Sequence, residues 1–338
     1  MKRLAVVILN WNGANLLRHY LPIVVATTQS ADTDVIVADN ASTDESIQLL
    51  NEQFPDIRVV QLDNNYGFAG GYNRAISQID YEYVLLLNSD VATTQGWTSP
   101  LIALMDSDPN IAACAPKILD DKRHTHFEYA GAAGGYIDYL GYPFCRGRIM
   151  NTVEPDNGQY NTNANVLWVS GAALMIRRSL YMQYGGLDED FFAHMEEIDL
   201  CWRLRNANYR IVACGSSTVY HLGGATLSNT NPHKTYLNFR NNLIMMVKNY
   251  NSTPQLVLSL FCRLILDGIA GLMFICKGQW RFCWAIVRAH WAFFASAKQT
   301  KTKRNQLAPH RTPTLPAEVK RYSIVVRYYI KRQLTIDN

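Results

Sequence analysis

The residues best suited to chemistry fall in polar clusters, each directly after a short apolar run. They are Asn10-Trp11-Asn12-Gly13, Asp39-Asn40-Ala41-Ser42-Thr43-Asp44, the stretch NNYGFAGGYN from Asn64 to Asn73, and Asn88-Ser89-Asp90. A further cluster packs six acids into the twelve residues from Asp188 to Asp199, beside Phe191 and Phe192. The Asp39 carboxylate is an acceptor for a nucleobase imide or a ribose hydroxyl. Glycines in the third cluster allow close backbone approach, and a helix starting there favours an anionic diphosphate at its N-terminus. On a helix Glu196 and Asp199 share one face, with Glu197 turned about 100° away. Asn, Asp and Gly also make turns, and each cluster alone reads equally well as one. Four together put amides and carboxylates along a single edge, which turns alone do not require.

The elements that must position them follow from the apolar runs. Leu4 to Leu9, Val35 to Ala38, Ile57 to Leu62, Val84 to Leu87 and Ile111 to Ala115 read as buried strands, with amphipathic helices between them. Ser42-x-x-Glu45 reads as a capping box opening the second helix. Strand and helix in alternation predict an α/β fold with a doubly wound, mostly parallel sheet, whose ligands sit beyond the carboxyl ends of the strands. The first strand ends in NWNG rather than G-x-G-x-x-G, which argues against a dinucleotide-binding dehydrogenase. No G-x-S-x-G elbow offers a nucleophile, and Ser170-Gly171-Ala172-Ala173 reads as tight packing near the pocket. The segment from Asp120 to Val166 is too long for a plain connection and reads as a lid or acceptor surface. Seven cysteines without a C-x-x-C pair speak against a disulfide framework or a structural zinc and suit a reducing cytosol. The opening MKRLAVVILNWNG has too short an apolar run for a signal peptide and reads as a strand.

In order and spacing, ILNWNG, VADNASTD, NNYGFAGGYN, LLNSD, DEDFFAHMEEIDLCWR and VYHLGGAT resemble the inverting family 2 glycosyltransferases, especially their rhamnosyltransferase-like branch. The resemblance covers about residues 3 to 250. It implies a GT-A fold, a nucleoside-diphosphate sugar donor (dTDP-rhamnose or a UDP-sugar) and Mg²⁺ or Mn²⁺. It places Asn10, Asp39, Asn65, Gly67, Gly70, Asn73 and Asn88 around the donor. Asn88-Ser89-Asp90 matches the family's D-x-D position with its first acid replaced, so Asp90 is the metal acid, and one or two carboxylates plus phosphates suffice for such an ion. His221 matches a histidine offered to the metal or the diphosphate. At the family's acid pair this chain has Glu196-Glu197, which puts Glu197 at the position of the base, with Glu196 and Asp199 as the other candidates.

The last third differs in character. Residues 277–338 carry 13 Lys and Arg against 2 Asp and Glu, whereas residues 1–276 carry 19 against 26. Leu256 to Ile275 is an apolar stretch interrupted by Arg263 and Asp267, which sit four apart and can pair. The insertion cost of those two charges roughly cancels the apolar gain, favouring a helix in the interface over a span. On a helix from Gln279 to Lys298, Trp280, Trp284, Val287, Trp291 and Phe294 form one stripe beside Lys277, Arg281 and Arg288. Aromatic stripe and basic flank predict attachment to an anionic membrane surface; no nucleic-acid-binding motif is present.

The expectation is therefore a glycosyltransferase domain over residues 1–250 and a membrane-associating helical extension over 251–338, separable from donor chemistry. Such an enzyme would work at the cytoplasmic face of a membrane, inverting the anomeric centre and glycosylating a saccharide or lipid-linked saccharide acceptor. The rivals are a nucleotidyltransferase, for which NWNG lacks the basic Gly-rich loop, and a non-catalytic scaffold, which has no need of acids at Asp39, Asp90 and Glu197.

Overall fold

The computed structural model describes residues 3–28, 30–223 and 231–336. From the start of the chain, β1 (Leu4–Asn10), α1 (Ala14–Thr28), β2 (Thr33–Asp39), α2 (Ser46–Gln53), β3 (Arg58–Gln61), α3 (Gly67–Ser77) and β4 (Tyr83–Asn88) alternate as the sequence predicts. β5 (Val91–Thr93), α4 (Thr98–Ser107), β6 (Ile111–Asp120) and β7 (Arg123–Phe127) follow. The Asp120 to Val166 segment is not a bare loop: it holds β7, then β8 (Gly135–Asp138), β9 (Pro143–Cys145), β10 (Arg148–Ile149), β11 (Thr152–Val153) and β12 (Ala164–Val166). β13 (Ala173–Arg177), α5 (Arg178–Gln183), α6 (Glu196–Asn206) and β14 (Arg210–His221) complete the main sheet and its cover. The last elements are α7 (Pro232–Asn249), α8 (Thr253–Cys276), α9 (Trp280–Ala295), α10 (Ala297–Leu307), β15 (Val319–Lys320) and α11 (Ile324–Tyr329).

The main sheet has the order β12-β14-β6-β13-β4-β1-β2-β3, with β5 on β14 and β7 on β6. Its β3-β2-β1-β4 half is parallel, while β13 runs antiparallel to both β4 and β6. Both faces are covered, so the strands read as continuous apolar runs. In β1, Leu4, Val6 and Ile8 point into one core with Leu17, Leu21 and Leu101, while Ala5 and Val7 point into the other with Tyr72 and Ile76. Parallel register aligns the strand ends: Asn10 is opposite Asp39, and Leu9 opposite Asn88. The polar edge expected from the sequence is thus one physical rim.

The capping box is not formed. The N-cap of α2 is Glu45, with no side-chain cap bond, and Asp44 Oδ1 instead accepts from the Ser46 N–H (3.0 Å). Ser42 Oγ is taken up by the Asn10 amide (3.1 Å) and the Asn12 N–H (2.9 Å), because the chain needs it to hold NWNG against β2.

The extension packs against the body. α9 lies along α7, and β15 adds a strand to the second sheet by pairing Val319 with Ile137. Ile324 packs on Phe144 and Ile149, and its N–H donates to Asp138 Oδ2 (2.9 Å). Arg205 pairs with Glu318, and Arg304 donates to the carbonyls of Val247 and Tyr250. A boundary at residue 250 therefore cuts through continuous packing, because the second sheet closes only with residues past 318. Truncation after Tyr250 should leave Ile137, Phe144 and Ile149 uncovered. The expected outcome is a smaller soluble fraction and a broad, weakly cooperative urea transition compared with the full chain; a sharp transition in a soluble fragment would show that the first 250 residues fold alone.

Candidate active site

The rim is built from interlocked amides. Asn10 Nδ2 donates to Asp39 Oδ1 (3.0 Å), whose other oxygen accepts from the Ser42 N–H (2.9 Å). Asp39 is buried and ties β1, β2 and the following turn together, leaving Asn10 Oδ1 buried without a partner. Trp11 stands beside this pair, 54 % exposed. Asn40 Nδ2 donates to Asn65 Oδ1 (2.9 Å), which also accepts from the Gly67 N–H (2.9 Å).

Several residues placed around the donor by sequence do other work. Asn65 occupies the Gly67 N–H, and the Phe192 ring lies 3.4 Å from where a Gly67 Cβ would sit, while residues 66–68 at the start of α3 stay half-buried. A Cβ at Gly70 would meet Tyr66 Cβ at 2.9 Å and Glu189 Oε2 at 3.3 Å; this glycine lets the acidic loop pack on α3. Asn73 is consumed in the same joint, donating to Leu187 O (2.8 Å) and accepting from Tyr181 Oη (2.6 Å) and the Leu187 N–H (3.0 Å).

At the other end of the rim, β5 pairs Val91 with His221 of β14 and so sets His221 beside Asp90. His221 Nε2 lies 3.1 Å from Asp90 Oδ1 and 3.4 Å from Asn88 Nδ2, and its Nδ1 lies 3.7 Å from Glu128 Oε1. Burial alone would favour the neutral imidazole, but Asp90 and Glu128 outweigh it and push the His221 pKa up to about 10. Glu128 comes from the 120–166 segment and carries no motif that sequence reading would detect. Among the described residues no three His, Cys, Asp or Glu side chains converge as a metal cage. Asp90 and His221 are hydrogen-bonded to one another at 3.1 Å, so a cation held between them would have to displace the His221 proton. Gly224, Ala225 and Thr226 of the VYHLGGAT motif lie outside the described residues.

The acidic cluster resolves into two roles. Asp199 is fully buried: Oδ2 accepts from Arg203 Nε (2.9 Å) and Lys248 Nζ (2.8 Å), and Oδ1 from Asn249 Nδ2 (2.7 Å). Both of its oxygens are thus committed to an ion-pair network. Glu196 and Glu197 open α6, and each keeps a buried carboxylate oxygen without a partner. Burial, reinforced by Glu197, holds the Glu196 carboxyl well above the usual range. Burial pushes Glu197 up to about 7, against the opposing pull of backbone N–H groups at the helix start. Glu197 is the more open of the two and flanks Gly171, where an added Cβ would lie 3.5 Å from both Glu197 Cβ and Phe68 Cζ. The next residue, Ala172, accepts from the Asn88 N–H (3.0 Å). The small 170–173 turn thus joins the end of β4 to Glu197.

Ahead of Glu196 the backbone is strained. Phe192, His194 and Met195 all have left-handed φ, at 64°, 69° and 75°. Each such residue costs about 1–3 kcal/mol unless its surroundings impose it. Here α7 imposes it: the Asn241 amide nitrogen lies 2.8 to 2.9 Å from the carbonyl oxygens of Phe191, Ala193 and His194, and Arg240 donates to Asp190 O (2.6 Å).

The Glycosyl transferase family 2 profile matches residues 5–185, more than half of the chain. The chain belongs to glycosyl transferase family 2. An N-acetylglucosaminyl-diphospho-decaprenol L-rhamnosyltransferase of Mycobacterium tuberculosis is 29 % identical over 227 residues, covering 62 % of this chain and 72 % of that protein. A low-salt glycan biosynthesis hexosyltransferase of Haloferax volcanii is 25 % identical over 247 residues, covering 71 % and 74 %. In fold, this family 2 glycosyltransferase is similar to a mannosyltransferase of Pyrobaculum calidifontis solved with GDP-Man and Mn²⁺ (TM-score 0.53, 16 % identity, 98 % and 89 % covered). It is also similar to S. aureus TarS 1-349 solved with UDP-GlcNAc (TM-score 0.54, 16 % identity, 91 % and 90 % covered). The fold is of GT-A type, with a helical region after it.

Two outcomes check this division of labour. Asp199→Asn leaves buried cations short of a carboxylate and should lower stability by about 3–5 kcal/mol, read as a loss of melting temperature; unchanged stability with lost activity would restore Asp199 as a candidate base. Asn241→Ala orphans buried carbonyls and frees the strained loop, so it should cost about 1–3 kcal/mol and reduce turnover more than nucleotide affinity, measured by urea denaturation and steady-state kinetics.

Proposed function

We propose that this enzyme transfers one sugar, with inversion, from a nucleoside-diphosphate sugar to a hydroxyl of a lipid-linked or surface polysaccharide acceptor. Its similarity to a rhamnosyltransferase favours dTDP-rhamnose as donor over a UDP-sugar. The observation that carries the reading is Glu197: a carboxylate opening α6, with a pKa near neutrality, flanked by the turn that leads to the D-x-D-like strand end.

In this reading the nucleoside lies along the β1 and β2 ends, its base against the exposed face of Trp11 and its polar groups on Asn10 Oδ1 and Asp39. Asp90 and His221 would hold Mg²⁺ or Mn²⁺, which when bound neutralises charge on the leaving diphosphate. Glu197 takes the proton of the acceptor hydroxyl as its oxygen bonds to the anomeric carbon. The bond to the diphosphate breaks on the opposite side, and the nucleoside diphosphate leaves with that electron pair. One displacement inverts the centre, and a base of this kind contributes about 10² to 10⁴-fold. Glu196, held neutral beside it, keeps a second negative charge from Glu197 and fixes which of the pair accepts the proton. The seven cysteines, all free, suit a cytoplasmic setting, and the exposed apolar faces of α8 and α9 suit peripheral attachment to the membrane carrying the acceptor.

A panel of nucleotide-sugars with and without Mn²⁺ tests the reaction class; hydrolysis and transfer absent for every donor would sink it. Asp90→Ala should bind nucleotide in calorimetry without the gain that Mn²⁺ gives the parent, and an unchanged metal dependence would remove Asp90 from the site. Glu197→Gln should abolish transfer and keep donor affinity within about threefold. Because the base must be ionised, kcat/KM should fall about tenfold per pH unit below an apparent pKa near 7; a flat profile from pH 5 to 8, or a dead Glu196→Gln with an active Glu197→Gln, would reassign the base.

A further inference from the structure

α8 is inverted relative to a helix on a water-facing surface. Its charged side chains point into the protein: Arg263 and Asp267 are 3 % and 0 % exposed and pair at 3.3 Å. Arg263 also donates to Asn242 Oδ1 (2.5 Å) and Leu140 O (3.2 Å), and His290 of α9 lies 3.1 Å from the second Asp267 oxygen. At 100° per residue the opposite face carries Leu258, Phe261, Ile265, Ile269 and Leu272, each 49 to 64 % exposed. α9 repeats the pattern. Its inward face is Ala285, Ile286, Ala289 and Phe293, and its outward face is Trp280, Trp284, Val287, Trp291 and Phe294, with Trp291 79 % exposed. Val326 on α11 and Ile330 just after it are exposed, and Val326 and Leu258 both line a cleft of about 970 Å³ that also includes Lys320 and Arg321. Exposed apolar faces therefore lie on α8 and α9, which pack on each other, and on α11, which shares a cleft with α8, more than the scattered exposure of an ordinary soluble protein.

Charge selects what covers it. Lys277, Arg281 and Arg288 are exposed along the α9 stripe, in a region with 13 basic against 2 acidic residues. A second copy pressed face to face would bring like charges together, whereas an anionic leaflet neutralises them. The buried Arg263, Asp267 and Asn242 contacts bind α8 to the body, so the helix is not free to leave it and cross a bilayer, although its length and composition would allow a crossing.

We propose that the outer faces of α8, α9 and α11 form one seat lying in the plane of an anionic leaflet, with the tryptophans at the boundary of headgroups and acyl chains. This deepens the peripheral-membrane part of the proposed function and is independent of the sugar transferred. The test uses the full chain with vesicles of phosphatidylcholine, with and without phosphatidylglycerol, in sedimentation. Binding should be about tenfold tighter with phosphatidylglycerol and weaken with salt. Alkaline carbonate should release the protein, and lipids brominated near the headgroup should quench tryptophan emission more than lipids brominated at the chain end. The double variant Trp284→Glu with Trp291→Glu changes only exposed side chains. It should bind vesicles at least about tenfold more weakly while keeping nucleotide-sugar affinity and the circular dichroism spectrum. Unchanged vesicle binding in that variant, resistance to carbonate, or a wild-type dimer in light scattering that the variant dissolves would each overturn the seat. Loss of transfer with vesicle binding intact would count against the proposed reaction and leave the seat standing.

Discussion

Three left-handed residues within four positions, held by the side chain of Asn241, are the constraint on which the catalytic end of this enzyme depends. Without the carbonyls of Phe191, Ala193 and His194 fixed to α7, the chain has no reason to turn so sharply before Glu196, and α6 would begin elsewhere. Its beginning decides everything about the acid pair. At the first turn Glu196 goes inward and Glu197 stays more open; burial raises both carboxyls, and the neighbouring acids Glu197 and Asp199 raise Glu196 further. The Asp199 network with Arg203, Lys248 and Asn249 anchors the next turn to the same helix, so α7 grips the acidic cluster on both sides of Glu196 and Glu197.

The extension belongs to this arrangement. Lys303 of α10 pairs with Asp188 and Asp190, and Gln299 donates to Asp190 Oδ2 (2.7 Å), all at the start of the strained loop. The same helical region that carries the exposed tryptophans thus braces the segment leading to Glu197. The proposed membrane seat and the proposed catalytic pair share structural members, and a division of the chain at residue 250 conceals this.

The sheet was legible because its strands are buried on both faces and announce themselves as apolar runs ending in polar clusters. Parallel register then aligned those ends without further information. The inward pairing of Arg263 with Asp267 and the tryptophan stripe were legible because they depend only on helical periodicity. What sequence spacing did not reveal depends on partners far along the chain. Asp199 and Glu197 are similar acids two positions apart, and only Lys248 and Asn249 distinguish them. Asn73 and Gly70 sit in a motif that reads as donor-binding, yet Leu187, Tyr181 and Glu189 claim them. Ser42 lost its cap to Asn10 and Asn12 for the same reason, and Glu128 had no local pattern at all.

The pairing of β15 with β8 joins Val319 to Ile137 across most of the chain. Contacts of such sequence separation form late, because the loop between them must be closed before the pairing is rewarded. During synthesis the body can therefore assemble its parallel core, and α8 and α9 can emerge with their apolar faces, before the second sheet is complete. A nascent chain in that state carries an unfinished sheet edge and an uncovered hydrophobic surface at once. Early cover on the proposed seat would shield the second while the first waits for residues 319 and 320.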